Sequence, residues 1–186
     1  MLAPEPILLE HRFPNIGRIA DVFYPSRQII FEVQVSPISI EEIRARNKDY
    51  ASLGYDVIWI LHDRQFNRVR ATSAETFLAT SPHYFTNINR FGKGFFYDQY
   101  SLIRFKRRLR RTPRFPVRFK RIYSLKDKQL PSQLPKERKK WSLSVEGDLF
   151  NRSFHWEQEK ISLHPLKFFA RFYTFLLNLF LEKTSG

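Results

Sequence analysis

The chain contains no cysteine in its 186 residues, which excludes disulfide frameworks, cysteine-based zinc sites and thiol catalysis together. Its five histidines, at His11, His62, His83, His155 and His164, are scattered without metal-ligand spacing, and no glycine-rich loop of the phosphate-cradling kind occurs. Gly92-Lys93-Gly94 reads more simply as a hairpin turn between Tyr84 to Phe91 and Phe95 to Phe105. Long apolar runs are also lacking. The most apolar stretch, Pro165 to Glu182, is interrupted by Lys167, Arg171 and Asn178 and falls short of the ~20 residues of a transmembrane helix. The opening Met1-Leu-Ala-Pro-Glu-Pro has no basic segment followed by an apolar one, so a cytoplasmic location is expected rather than secretion. Acid is scarce relative to base: 32 Lys and Arg against 18 Asp and Glu leave a formal charge of +14. That self-repelling excess points to a polyanionic partner, with nucleic acid first and an anionic membrane surface second. The length admits one domain with a core plus an appendage and excludes two large domains.

Short runs rich in Ile, Val, Phe and Tyr at Ile7 to Phe13, Arg18 to Tyr24 and Gln28 to Val35 read as strands. Pro14-Asn15-Ile16-Gly17 and Pro25-Ser26-Arg27 supply the turns between them. The period then changes, because Ile40, Ile43, Asn47, Tyr50 and Leu53 recur at helical spacing. Ser39 and Glu42 fit a capping box, and Gly54 suits the position past the helix end. Asp56 to Leu61 is nearly continuous in apolar residues, as a strand buried on both faces requires. The predicted order is β-β-β-α-β, an α/β core with a parallel crossover.

The +14 is concentrated. Arg104, Lys106, Arg107, Arg108, Arg110, Arg111, Arg114, Arg118, Lys120 and Arg121 form a segment without acid, interleaved with Phe105, Phe115 and Phe119. This composition suits either a groove that tracks phosphates and stacks bases or a solvated basic linker or strand whose phenylalanines pack on the core. Lys126 to Lys140 reads as an exposed linker. Leu166 to Leu181 reads as an apolar helix docked on the domain or a partner, or lying on a membrane surface. The expected organisation is therefore an α/β core over 1–103, a basic segment and linker over 104–140, and a C-terminal appendage with a helix over 141–186.

Alternation along the third strand puts Ile30, Glu32, Gln34 and Ser36 on one face and Ile29, Phe31, Val33 and Val35 on the core face. Asp21 lies on the neighbouring strand, where aspartate is disfavoured. Asp21 and Glu32 on adjacent hairpin strands can share a metal, and an oxygen donor pair favours Mg²⁺ or Mn²⁺ over zinc. The same spacing also suits solvent-side carboxylates matched by Arg18 or Arg44.

The ordered set Gly17-Arg-Ile-Ala-Asp-Val22, Ile30-Phe-Glu-Val-Gln-Val-Ser36, Ile38-Ser39, Arg46-x-x-x-Tyr50 and Val57-Ile-Trp-Ile-Leu61 resembles the nuclease domain of competence protein CoiA over residues 8 to 62. That family is placed in the PD-(D/E)XK superfamily, and the resemblance implies a restriction-endonuclease-like core in a bacterial cytoplasmic protein. It also implies that Asp21 and Glu32 are metal-binding carboxylates. Gln34 stands where many superfamily members have a lysine that helps position the attacking water. Gln34 brings no charge, so transition-state stabilisation falls to Arg46 and Tyr50, one helical turn apart. Glu10 is a candidate third carboxylate from the first strand, or one half of a surface pair with His11. Arg18 joins the basic segment as a candidate DNA contact.

What the resemblance implies is metal-assisted phosphodiester hydrolysis on DNA during transformation or recombination, with recombination or competence proteins as partners. The alternatives are a non-catalytic DNA-binding accessory protein that keeps the fold, and an adaptor docking on anionic membranes through its basic segment and C-terminal helix. The sequence departs from the family plan in having about six residues before its first strand, where the superfamily core usually begins with a helix. Leu166 to Leu181 is expected to cover the sheet face that this helix would occupy.

Overall fold

The computed structural model describes residues 6–79, 81–99, 101–124 and 143–146. The linker expected at Lys126 to Lys140 and the helix expected at Leu166 to Leu181 lie outside the described residues. The chain divides between Gly94 and Phe95 into two compact units. Phe95 to Ile103, grouped by composition with the core, therefore belong to the second unit.

The first unit is built on β1 (Leu8–Phe13), β2 (Arg18–Tyr24), β3 (Ile29–Gln34), α1 (Ile40–Ser52), β4 (Asp56–His62), α2 (Ser73–Leu78) and β5 (His83–Thr86). Its sheet runs in chain order. β1 to β3 are antiparallel neighbours, whereas β4 and β5 add on in parallel. The turns are 3-10 segments at Pro14–Ile16 and Pro25–Arg27, each closed by a left-handed residue, Gly17 and Gln28. The predicted β-β-β-α-β order is present, extended by α2 and β5.

β3 is central, so both of its faces are covered over its first half. Ile29, Ile30, Phe31 and Glu32 are all buried, which corrects the expectation that only the Ile29 and Phe31 face is core. Ile30 packs in a cluster with Phe13, Ala20, Phe23 and Tyr50. The strand emerges toward solvent near its end, where Gln34 is half-buried and Val35 and Ser36 are exposed. β4 is buried from Ile58 to Leu61, as its unbroken apolar run requires. Each such aliphatic side chain contributes about 1.5–3 kcal/mol relative to exposure.

Helix α1 forms on its expected residues. Ser39 Oγ accepts from the Glu42 amide at 3.1 Å, satisfying one of the unpaired amides of the first turn. The reciprocal half of the predicted capping box is replaced, because the Glu42 carboxylate turns to Arg18 and Arg46. The full box occurs in α2, where the side chains of Thr72 and Glu75 each accept from the other's backbone amide. At the far end of α1, Gly54 takes φ +82 and its amide closes on the Ala51 carbonyl at 3.0 Å. Ile43 and Tyr50 are buried on the predicted face, and Asn47 Oδ1 accepts from Trp59 Nε1 at 2.9 Å.

The strand expected over Tyr84 to Phe91 is shorter than predicted. β5 ends at Thr86, and the following loop is held by Asn89, whose side chain accepts from the Phe91 and Lys93 amides. Gly94 adopts φ +140 so close to Ile88 that a Cβ would lie 2.6 Å from the Ile88 Cα. Only glycine fits there.

The second unit contains β6 (Phe96–Asp98), β7 (Ser101–Arg104), β8 (Arg107–Arg111), β9 (Phe115–Pro116), β10 (Arg118–Ser124) and β11 (Leu143–Glu146). Three antiparallel pairings occur in it: β6 with β9, β7 with β8, and β10 with β11. Arg104 to Arg121 is thus strand-forming rather than a linker.

Candidate functional site

The chemistry-bearing side chains of the first unit meet where β2, β3 and α1 pack. Continuing the β2–β3 register past Val22 and Phe31 sets Asp21 beside Glu32. Burial raises the pKa of Glu32, and the neighbouring Asp21 charge adds to that rise. Asp21 Oδ2 accepts from the Val33 amide at 2.7 Å, so the carboxylate is tied to β3 as well as carried by β2.

Glu32 is 1% exposed and both of its oxygens are engaged. The Tyr50 hydroxyl donates to Oε1 at 2.7 Å, and Arg46 Nη1 donates to Oε2 in an ion pair. Arg46 and Tyr50 are four residues apart on α1, on one helical face, which is why the R-x-x-x-Y spacing delivers both to one carboxylate. Burial pushes the Glu32 carboxyl up from the usual carboxylate range, while Tyr50 and Arg46 pull it back. Tyr50 is itself raised, first by burial and then by its bond to Glu32. It remains a neutral donor through the physiological range.

Arg46 Nε also donates to Glu42 Oε1 at 2.8 Å, and the same oxygen accepts from Arg18 Nη1 at 2.9 Å. Arg18 Nε then donates to Asp49 Oδ2 at 2.8 Å. A continuous chain of charge runs Asp49, Arg18, Glu42, Arg46, Glu32. Glu42 is held below the usual carboxylate range by its bond with Arg46 and the charge of Arg18. Arg18 is raised by its hydrogen bond to Asp49.

The structure brings together Asp21, Glu32, Arg46 and Tyr50. Gln34 stands one strand repeat beyond Glu32, and its Nε2 donates to the Ser36 carbonyl at 2.7 Å and to the Ser36 hydroxyl at 3.2 Å. Glu10 is exposed with φ +48, a left-handed conformation that interrupts β1. Among the described residues, no group of three or more His, Asp and Glu is placed to hold a metal ion. Arg18, read as a DNA contact, is committed to Glu42 and Asp49. Arg44, read as a carboxylate partner, lies over the Phe77 ring at 5.0 Å.

Glu42 and Asp49 were missed as members of the site. Their signal is spacing: positions 42, 46 and 49 share one face of α1, and Glu42 and Arg46 form an i, i+4 pair.

In the second unit, Lys106, Arg107, Arg114 and Arg118 are exposed, Arg111 is half-buried and Arg108 is buried. Arg108 Nε donates to the Ser101 hydroxyl at 3.2 Å, and the Arg114 guanidinium lies 4.8 Å from the centre of the Tyr97 ring. Arg104 ends β7, Arg110 lies in β8, and Lys120 and Arg121 lie in β10. Of the interleaved phenylalanines, Phe119 packs edge-on against Phe96 at 5.1 Å, and Phe115 is half-buried in β9. Phe105 alone of the three is presented to solvent.

The family model described as competence protein CoiA, nuclease-like domain, matches residues 4–138. The chain belongs to this family. Its CoiA nuclease-like domain covers Asp21, Glu32, Arg46 and Tyr50 together with the whole basic segment. Comparison with curated proteins and with solved structures gave no match. Among the described residues, no helix is long and apolar enough to cross a membrane.

Proposed function

We propose that this chain is a DNA-processing protein of competence and recombination whose first unit hydrolyses phosphodiesters with the aid of a divalent cation. The observation that carries this reading is the placement of Asp21 beside Glu32 on adjacent strands, with Arg46 and Tyr50 converging on Glu32 from α1. The donor chemistry fits Mg²⁺ or Mn²⁺. Both donors are carboxylates, and Mg²⁺ is characteristically held by one or two carboxylates, with waters and substrate phosphate completing its shell. Asp21 and Glu32 would hold the ion, while Glu10 is exposed on β1. When bound, the ion supplies water activation and neutralises charge developing on the phosphoryl group.

The chain's own residues orient and balance the site. Tyr50 fixes one oxygen of Glu32, and the Val33 amide fixes one oxygen of Asp21, so both carboxylates are preorganised. Arg46 is a permanent cation paired with Glu32, and its planar guanidinium suits a phosphate as well as a carboxylate. Gln34 can orient a water by hydrogen bonding without adding charge. The exposed cations of the second unit supply DNA affinity through phosphate contacts.

A second reading, a DNA-binding accessory protein without catalysis, is favoured by the Arg46 ion pair, which balances Glu32 with no metal. The test is cleavage of labelled single-stranded, duplex and branched DNA in Mg²⁺ or Mn²⁺, with EDTA controls, by the parent, Asp21→Asn and Glu32→Ala. Cleavage by the parent that both variants and EDTA abolish supports the nuclease. Salt-sensitive binding with no cutting by any of the three overturns it in favour of the accessory role.

A further inference from the structure

The β7–β8 hairpin turns through two residues, Phe105 and Lys106, with φ +47 and +62. Two consecutive positive φ values are the mark of a type I′ turn, a place for Asn, Asp and Gly because a Cβ strains there. A bulky aromatic in this conformation is a genuine outlier. Phe105 is 88% exposed, so burial does not offset the strain. On either side of the turn, Arg104 and Arg107 are register partners, and like charges directly opposite one another destabilise a ladder. The tip thus combines two local choices that oppose folding.

Both choices are resolved by one kind of ligand, a polyanion that also presents a flat apolar face. We propose that Phe105 is a stacking wedge for an unpaired nucleobase, with Lys106 and Arg107 on the adjacent phosphates of a single DNA strand. Bases in an intact duplex expose only their edges in the grooves, whereas an unpaired base offers its face. Lys106 and Arg107, which follow Phe105 directly, are both exposed. A single DNA strand, which alternates phosphates with bases, matches this adjacency of ring and cations. The inference rests on the DNA-processing reading and names the part of the substrate that the second unit recognises.

The experiment is binding in EDTA by the full chain, which separates recognition from cleavage. A single strand carrying 2-aminopurine and the matching duplex are titrated against the parent, Phe105→Ala, Phe105→Trp and Phe105→Asn. The expected result is a loss of roughly tenfold or more in single-strand affinity for Phe105→Ala, with duplex affinity within about twofold of the parent. The 2-aminopurine quench should be retained by Phe105→Trp and lost by Phe105→Asn. Phe105→Asn should melt no lower than the parent, because asparagine suits the turn, so its binding loss is not a folding defect. Equal losses on both DNAs, or no loss at all, overturn the wedge while leaving DNA binding intact. No binding of either DNA by the parent overturns the DNA-processing reading as well. Binding only to vesicles containing anionic lipid, lost in Phe105→Ala, overturns the wedge in favour of a membrane contact.

Discussion

The phenol of Tyr50 donates to Glu32 Oε1 at 2.7 Å from inside the apolar cluster of Phe13, Ala20, Phe23 and Ile30. Tyr50 is therefore a core aromatic and a site residue at once. Tyr50→Phe keeps the ring packing but removes a donor from a buried carboxylate, a loss of about 1–3 kcal/mol. Urea denaturation should show a lower midpoint with an unchanged slope.

Glu32 and Glu42 give stability opposite pH dependences. Burial raises Glu32 in the folded state, so the folded chain binds the extra proton and stability falls as pH rises from the unfolded pKa through the folded one. Glu42 is lowered chiefly by its hydrogen bond with Arg46, so its contribution is present above the unfolded pKa and is lost as pH falls through the folded one. Glu32→Gln should accordingly gain stability relative to the parent as pH rises above the ordinary glutamate range, and Glu42→Gln should lose it. Thermal melts of both variants across the acid range check the signs.

Arg46 would compete with the proposed divalent cation for Glu32, with which it is ion-paired. Arg46→Met should tighten Mn²⁺ binding, followed by titration calorimetry, while lowering any cleavage by ~10² or more, as loss of one preorganised transition-state donor does. In the parent, Mn²⁺ at ten times its dissociation constant should add about 1.4 kcal/mol of stability. Asp21→Asn should abolish that increment.

The commitment of Arg18 to Glu42 and Asp49 separates it from the exposed cations of the second unit. Arg18→Ala is expected to cost up to ~1 kcal/mol, the ordinary range for partly exposed pairs. It should leave the slope of log K for DNA against log salt unchanged. Arg107→Ala should reduce that slope by roughly 0.7 to 0.9 with little effect on stability.

Gly94→Ala should cost about 1–3 kcal/mol or more, since φ +140 admits essentially only glycine and the new methyl group would overlap the Ile88 backbone. A denaturation midpoint equal to the parent's would overturn this account of the loop.

Elements whose local pattern and tertiary role agree were legible in the sequence. The three opening strands, α1 from its 3.6-residue period, and β4 from its continuous apolar run form as read, and the Asp21, Glu32, Arg46 and Tyr50 set converges. The coverage of Glu32 was not legible, because alternation assigns two faces to β3 without revealing that α1 covers the polar one. Which arginine meets which acid was hidden for a related reason. Arg18 and Arg46 share Glu42 across elements, and strand periodicity does not report the angle at which a helix crosses. In the basic segment, composition gave the charge, but it did not show that the tight turn exposes Phe105 while Phe115 and Phe119 are half-buried.

Arg46 has a consequence for how the domain lives without its proposed ion. A carboxylate buried as deeply as Glu32 is costly unless a cation accompanies it, and the chain brings that cation on its own helix. Assembly of the domain and loading of the site are then separate events, unlike small metal-dependent modules that collapse when stripped. If the proposed ion binds, newly made protein would reach its finished shape even in a chelating medium, and loading would wait on Arg46 giving up its place beside Glu32.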